Sequence, residues 1–272
     1  MEEQDPKLKP RITYGMVVLG VLLVLALAFV TTPVVMKSHK KAAMTSTTSN
    51  AKQVFYLLIE FDQDYGEFPG DATAILHTGM GGEPIVDLRT CKGEYSNDYM
   101  GQFIAGGYTK SEQIFVAPWE KDPGRKADDD ISSRSRILEA GECGFSYVKN
   151  QSTSDNSGRP VLLAPMSGEG VQFDPKPYDH KAVVLRIDGA VKQLLINKDT
   201  CKAKIGMGKT LFDGGADTVW GEEGFDVANL VHPRPWGKPL QPSMAARLMI
   251  GFLVVGIVFV FIRRRKKRHA RG

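Results

Sequence analysis

From Gly15 to Val35 the chain carries no charge. As a helix, those 21 residues extend about 31 Å, which matches a hydrocarbon core of about 30 Å. Residues 15–36 are therefore predicted to form a transmembrane helix. Lys7, Lys9 and Arg11 before it resemble the basic flank of a secretory signal, but the apolar stretch is long for a signal core and no A-x-A site follows. At the other end, Leu248–Ile262 is wholly apolar, and including Met244 to Arg247 lengthens it to 19 residues, about 28 Å of helix. It has no polar face, as a core helix or an interfacial helix would need, so residues 244–262 are predicted to be a second span, with Arg247 snorkelling to the headgroups.

Basic residues beside a span stay in the cytoplasm. Three bases precede the first span and Lys37, Lys40 and Lys41 follow it, so that span decides nothing; seven bases follow the last one. The expected topology is a two-pass protein of the cell inner membrane with both termini inside. It has a cytoplasmic N-terminus (1–14), an extracytoplasmic domain (37–231), a Pro-rich linker (232–243) and a basic cytoplasmic tail (263–272). That tail, held against anionic lipid, accounts for the formal charge of +4. Residues 37–243 hold 24 bases and 28 acids, net −4, which argues against a nucleic-acid partner.

Within the domain, Lys37 to Ser49 reads as a charged, Thr/Ser-rich bridge. Val54, Leu58, Phe61 and Tyr65 then fall at helical spacing, with Lys52, Gln53, Glu60, Asp62 and Asp64 off that stripe; Ser49 or Asn50 can cap this amphipathic helix and Gly66 can end it. A shorter helix is expected over Asn97–Ala105, closed by Gly106 and Gly107. The polar run Glu120–Glu142 reads as a surface loop. Strands are expected at Gly144–Lys149 and Pro160–Ala164, and a hairpin pairs Ala182–Ile187 with Ala190–Ile196 through a two-residue type I′ turn at Asp188-Gly189. The fold class is α+β: a long N-terminal helix, membrane span plus amphipathic extension, packed on a small antiparallel sheet, with a C-terminal transmembrane helix.

Sites of chemistry are sparse. Ala203–Thr210 matches the loose A-x-x-x-x-G-K-T form of a phosphate loop, but loop composition follows where a helix should start, so no nucleotide is expected. Cys91, Cys143 and Cys201 lack the spacing of a zinc site; one disulfide, Cys91 with Cys143, is the preferred pairing. His77, His180 and His232 read as surface or turn residues, and no Ser or Cys has an evident base partner, although a triad is assembled only in space. Asp213, Asp217, Glu222 and Glu223 offer carboxylates in a Gly-rich loop, without an EF-hand pattern. No catalytic residue, metal or cofactor is assigned. Trp220 and Trp236 are expected to pack that loop or meet the membrane interface.

The order of parts is similar to a known one. The membrane helix that runs through Ser49–Asp71 and ends in the acidic phrase Tyr65-Gly66-Glu67-Phe68-Pro69 resembles the N-terminal half of pseudopilins of type II secretion and type IV pilus systems. Met100–Phe115, Cys143–Val148 and Lys181–Val191 extend the resemblance to about residue 200. It implies a non-enzymatic subunit acting through protein contacts, with other secretion or pilus-system proteins and the lipid bilayer as partners. It also implies a leader cut between Gly15 and Met16. The chain departs from the family at Gly20, where a Glu would register subunits in a filament, and in its second span. The alternative is a membrane-anchored binding or receptor protein that reuses a pilin-like fold.

Overall fold

The computed structural model describes residues 14–75, 85–117, 127–168, 170–206 and 208–237. Contacts divide the chain into two units, with the boundary between His39 and Lys40.

Helix α1 runs Tyr14–Tyr65 without a break. The stretch to His39 has large apolar side chains exposed, Leu19, Leu23, Phe29 and Val34 among them. From Leu19 it belongs to a helix long and apolar enough to cross a membrane. Pro33 lies inside it and lacks an N–H to donate, while Thr31 and Thr32 turn their hydroxyls onto the carbonyls of Leu27 (2.9 Å) and Ala28 (2.6 Å).

The bridge expected at Lys37–Ser49 is helix instead. Thr45, Thr47 and Thr48 each donate to the carbonyl four residues back, so hydroxyls that would favour a turn are spent inside the helix. No cap forms at Ser49 or Asn50. The Asn50 amide donates to the carbonyls of Gln113 and Val116, tying a distant loop to the helix. Of the predicted stripe, Val54, Leu58 and Phe61 are fully covered, each large side chain contributing about 1.5–3 kcal/mol; Ala51 joins them, and Tyr65 is only half-buried. Gly66 ends the helix at φ +79°, its N–H on the carbonyl of Asp62 at 2.7 Å.

What α1 packs on is α2, Ser96–Ala105, and one face of a sheet. Phe61 meets Phe103 edge-on at 5.5 Å and Tyr108 at 5.3 Å. The sheet has strands β1 (Ser146–Val148), β2 (Pro160–Ala164), β3 (Lys181–Arg186), β4 (Val191–Leu195) and, after a small hairpin of β5 (Lys204–Gly206) and β6 (Lys209–Thr210), β7 (Leu230–Val231). Its order is β4-β3-β2-β1-β7, with every pair antiparallel. Alternation sends Tyr147, Leu162, Val183 and Leu185 into the core shared with α1 and α2, and Val148, Leu163, Ala182 and Val184 into a second core with Phe173, Leu211 and Leu230. The fold is α+β with both sheet faces covered. The predicted C-terminal span, 244–262, lies outside the described residues.

Three expectations change. The β3–β4 turn is a three-residue loop, Ile187 to Gly189, in which Gly189 alone has positive φ (+75°) and donates to Arg186 O at 3.0 Å; a type I′ turn needs two such residues. The described part of the expected surface loop carries buried Ala127, Ile137, Leu138 and Glu142. The start of the Pro-rich linker is docked: Ser96 N donates to His232 O, and Arg234 N donates to the Asn97 side chain at 2.7 Å.

Gly189 also meets α1, because a Cβ there would lie 2.6 Å from the Phe55 ring. Gly66 has a similar φ and open space around it. Gly189→Ala should therefore cost about 2 kcal/mol or more in urea unfolding of the detergent-solubilised chain, and Gly66→Ala about 1 kcal/mol. Equal losses would mean that strain, not the contact with α1, sets the cost.

Candidate functional site

All ten residues of α2 are buried, although its sequence is half polar. That is affordable only because each polar group has a partner. Ser96 Oγ donates to Phe145 O at 2.6 Å, Asn97 Nδ2 to the carbonyls of Leu138 and Glu139, and Gln102 Nε2 to those of Gly70 and Cys91. Thr73 Oγ1 completes the set on Gln102 Oε1 at 2.7 Å. Tyr99 donates to Asp71, which also takes Lys149 Nζ at 3.1 Å and is held below its usual pKa, the Lys149 and Tyr99 bonds outweighing the cost of burial.

Asp98 is the hub of α2's first turn. Its Oδ2 accepts from Tyr95 N (3.1 Å), and its Oδ1 accepts from both Arg134 Nη2 (2.6 Å) and Arg234 Nη2 (2.9 Å). Two guanidinium groups from segments a hundred residues apart thus converge on one oxygen. Arg234 also lies over the Tyr95 ring, 5.0 Å from its centre. Beside this hub is a cavity of about 570 Å³ lined by Thr90, Lys92, Ser133, Arg134, Ser135 and Arg234 together with Asp98 and Ile137. A second cavity, about 470 Å³, borders α1 at Asn50, Gln53, Tyr56 and Leu57, facing Tyr108 to Ile114. Tyr56 there is 70% exposed.

Two arrangements were invisible in the sequence. Ser146 Oγ lies 3.0 Å from His232 Nδ1. Ser146 is 1% exposed and lines neither cavity, so the pair acts as a polar tie between β1 and the docked linker rather than as a nucleophile and base. Burial outweighs a hydrogen bond with the Gly170 backbone and lowers the His232 pKa. The second is Glu112, fully buried, whose carboxylate accepts from Asp129 N (2.9 Å) and Leu138 N (2.7 Å) and so clips the two ends of the 129–138 loop. Burial pushes its pKa up. Oxygens of Glu112, Asp128 and Glu142 lie within 4.8 Å of one another, the one such group of three among the described residues. The backbone donors already engaged account for Glu112 as a structural clip.

The other sequence candidates are dispersed. Gly15 and Met16 sit in the first turn of α1. Cys91, Cys143 and Cys201 are free thiols, so the expected Cys91–Cys143 bridge is not formed. Cys143 Sγ lies against Ser96 (3.6 Å), whereas Cys91 Sγ faces Gly101, five residues further along α2, or about 7.5 Å along its axis. Burial raises both thiol pKa values, that of Cys143 to about 11. Ala203–Thr210 includes β5 and β6, with Lys209 ion-paired to Asp217 and Thr210 bonded to Asp213, while Glu222 and Glu223 are exposed. His180 occupies a turn at φ +61°, and His77 lies outside the described residues. Trp220 packs against Phe212 and Phe225. No family model, curated protein or solved structure matches the chain.

Glu112→Ala should lower stability by about 2–3 kcal/mol, the worth of two hydrogen bonds to a buried carboxylate, with Glu112→Gln recovering at most one of them; thermal melts at pH 7 measure both. His232 predicts a pH effect. Its folded pKa lies below the unfolded value near 6.5, so its contribution is complete above that pH and is lost as pH falls toward the folded value. The melting temperature of wild type minus that of His232→Asn should shrink between about pH 7 and pH 5; a constant difference would contradict a buried neutral imidazole.

Proposed function

We propose that this chain is a membrane-anchored, pseudopilin-like protein without catalytic activity, an accessory of a type II secretion or type IV pilus-like system that works through protein contacts. The observation that carries the reading is α1: one 52-residue helix, apolar and exposed over its first half, with a buried stripe against α2 and an antiparallel sheet over its last turns. Burial of the Ser146–His232 pair supports the non-enzymatic part. In the proposal, residues 244–262 form a second span and both termini face the cytoplasm, which places the sheet domain outside and pins the subunit at two points.

Gly20 favours a second reading, since a filament-forming subunit of this family would carry Glu there. On that reading the domain is an anchored receptor and the partners are ligands rather than other pilin-like subunits.

Two experiments test the first reading. Protease added to spheroplasts should digest residues 37–231 and leave both termini protected; digestion of the basic tail would overturn the topology. A photo-crosslinking residue in place of Tyr56, on the exposed side of α1, should trap membrane proteins of a secretion or pilus apparatus in native membranes. Absence of any protein adduct, or turnover of ester, phosphate or peptide substrates by the purified chain, would contradict it.

A further inference from the structure

We propose that the cavity beside Asp98 binds a phosphate-type oxyanion. The proposal is independent of the pseudopilin reading, because it rests on charge and donors gathered in one place. Three cations, Lys92, Arg134 and Arg234, line the cavity against one carboxylate, Asp98. Asp98 has 4% of its side chain exposed, and both of its oxygens are engaged, by two guanidinium groups and Tyr95 N. It offsets one positive charge and leaves two. Asp71, the other carboxylate whose field involves Lys92, is already paired with Lys149 at 3.1 Å.

The donors that remain suit an oxyanion. Arg134 is spent on the structure: Nε donates to Thr90 O at 3.0 Å, Nη1 to Ile137 O at 3.4 Å and Nη2 to Asp98. That fixes its plane and its charge at the cavity wall. Among the described residues Arg234 is committed through Nη2, its Nε is buried without an acceptor, and its side chain as a whole is 39% exposed. Lys92 is exposed and joins no ion pair among the described residues, so its ammonium is a point charge on a flexible stem. Ser133 and Ser135 hydroxyls lie 3.1 Å apart; one donates to the other, which leaves one O–H as a donor. A part-exposed guanidinium, an ammonium and a serine O–H around a common space are a donor set that tetrahedral oxyanions take. A space of about 570 Å³ exceeds one phosphate ion, so the class is a phosphate ester, either soluble or part of a lipid headgroup.

The test uses the full chain in neutral detergent at pH 7 and constant ionic strength, with inorganic phosphate as the probe and calorimetry as the readout. Saturable binding is expected, weakened about tenfold in Lys92→Ala and measurably in Ser135→Ala. Both residues are exposed and outside the Asp98 hub, and unchanged melting temperatures without phosphate verify that they fold. In nanodiscs that contain phosphatidylglycerol, a lipid source predicts that phosphate binding is competed away, and a soluble source predicts that it persists. Heat changes that do not saturate, or equal affinity in wild type and both variants, would overturn the proposal.

Discussion

One stripe on the last turns of α1, Ala51, Val54, Leu58 and Phe61, is the contact on which the rest of the domain depends. α2 and the inner sheet face close over it, and the remaining ties act as guides to the same docking. Thr47 Oγ1 meets the buried Tyr178 hydroxyl at 2.6 Å, Asn50 holds the 113–116 loop, and Phe55 rests against Gly189 in the β3–β4 turn. Beyond Gly66 the chain returns along the sheet, with Phe68 N on Gln151 O and the Tyr147 hydroxyl on Pro69 O. The apolar burial supplies the energy, and these polar contacts select one register for it.

The second constraint is electrostatic. α2 is wholly buried yet presents Ser96, Asn97, Asp98 and Gln102, so the surrounding loops are shaped by what those groups must bond. Asn97 draws in the 138–139 backbone and the linker at Arg234; Asp98 draws in two arginines; Gln102 draws in Gly70 and Cys91. Glu112 does the same from outside α2, setting the loop that carries Ser133, Arg134 and Ser135. The basic cavity is a consequence of these demands. A single carboxylate recruits two guanidinium groups, and the surplus charge is left at the surface.

Periodic burial was legible in the sequence. The 54/58/61 spacing, the Gly66 stop, the extent of β2 and the β3–β4 pairing each depend on a few neighbouring residues. Where local rules misled, tertiary partners had changed the balance. Threonines 45, 47 and 48 looked like a bridge until their hydroxyls closed on the preceding helical turn. The Asp188-Gly189 pair looked like a two-residue turn, yet Ile187 and Asp188 bond to the 157–159 segment and the loop takes three residues. The cavity, the Glu112 clip and the Ser146–His232 tie were illegible because each joins segments between 17 and about 140 residues apart. No periodicity or motif records such a meeting.

The functional account turns on α1 joining an apolar stretch long enough to cross a membrane to the folded sheet domain as one helix. A nitroxide scan of single cysteines from position 19 to position 60 in lipid nanodiscs, on a chain with Cys201 replaced by Ser, measures this directly. The account predicts helical periodicity without interruption, access to oxygen but not to a water-soluble nickel chelate through the apolar stretch up to about residue 35, and nickel access on the exposed face beyond residue 40. Nickel access throughout residues 19–35, or loss of helical periodicity between 36 and 50, would contradict it.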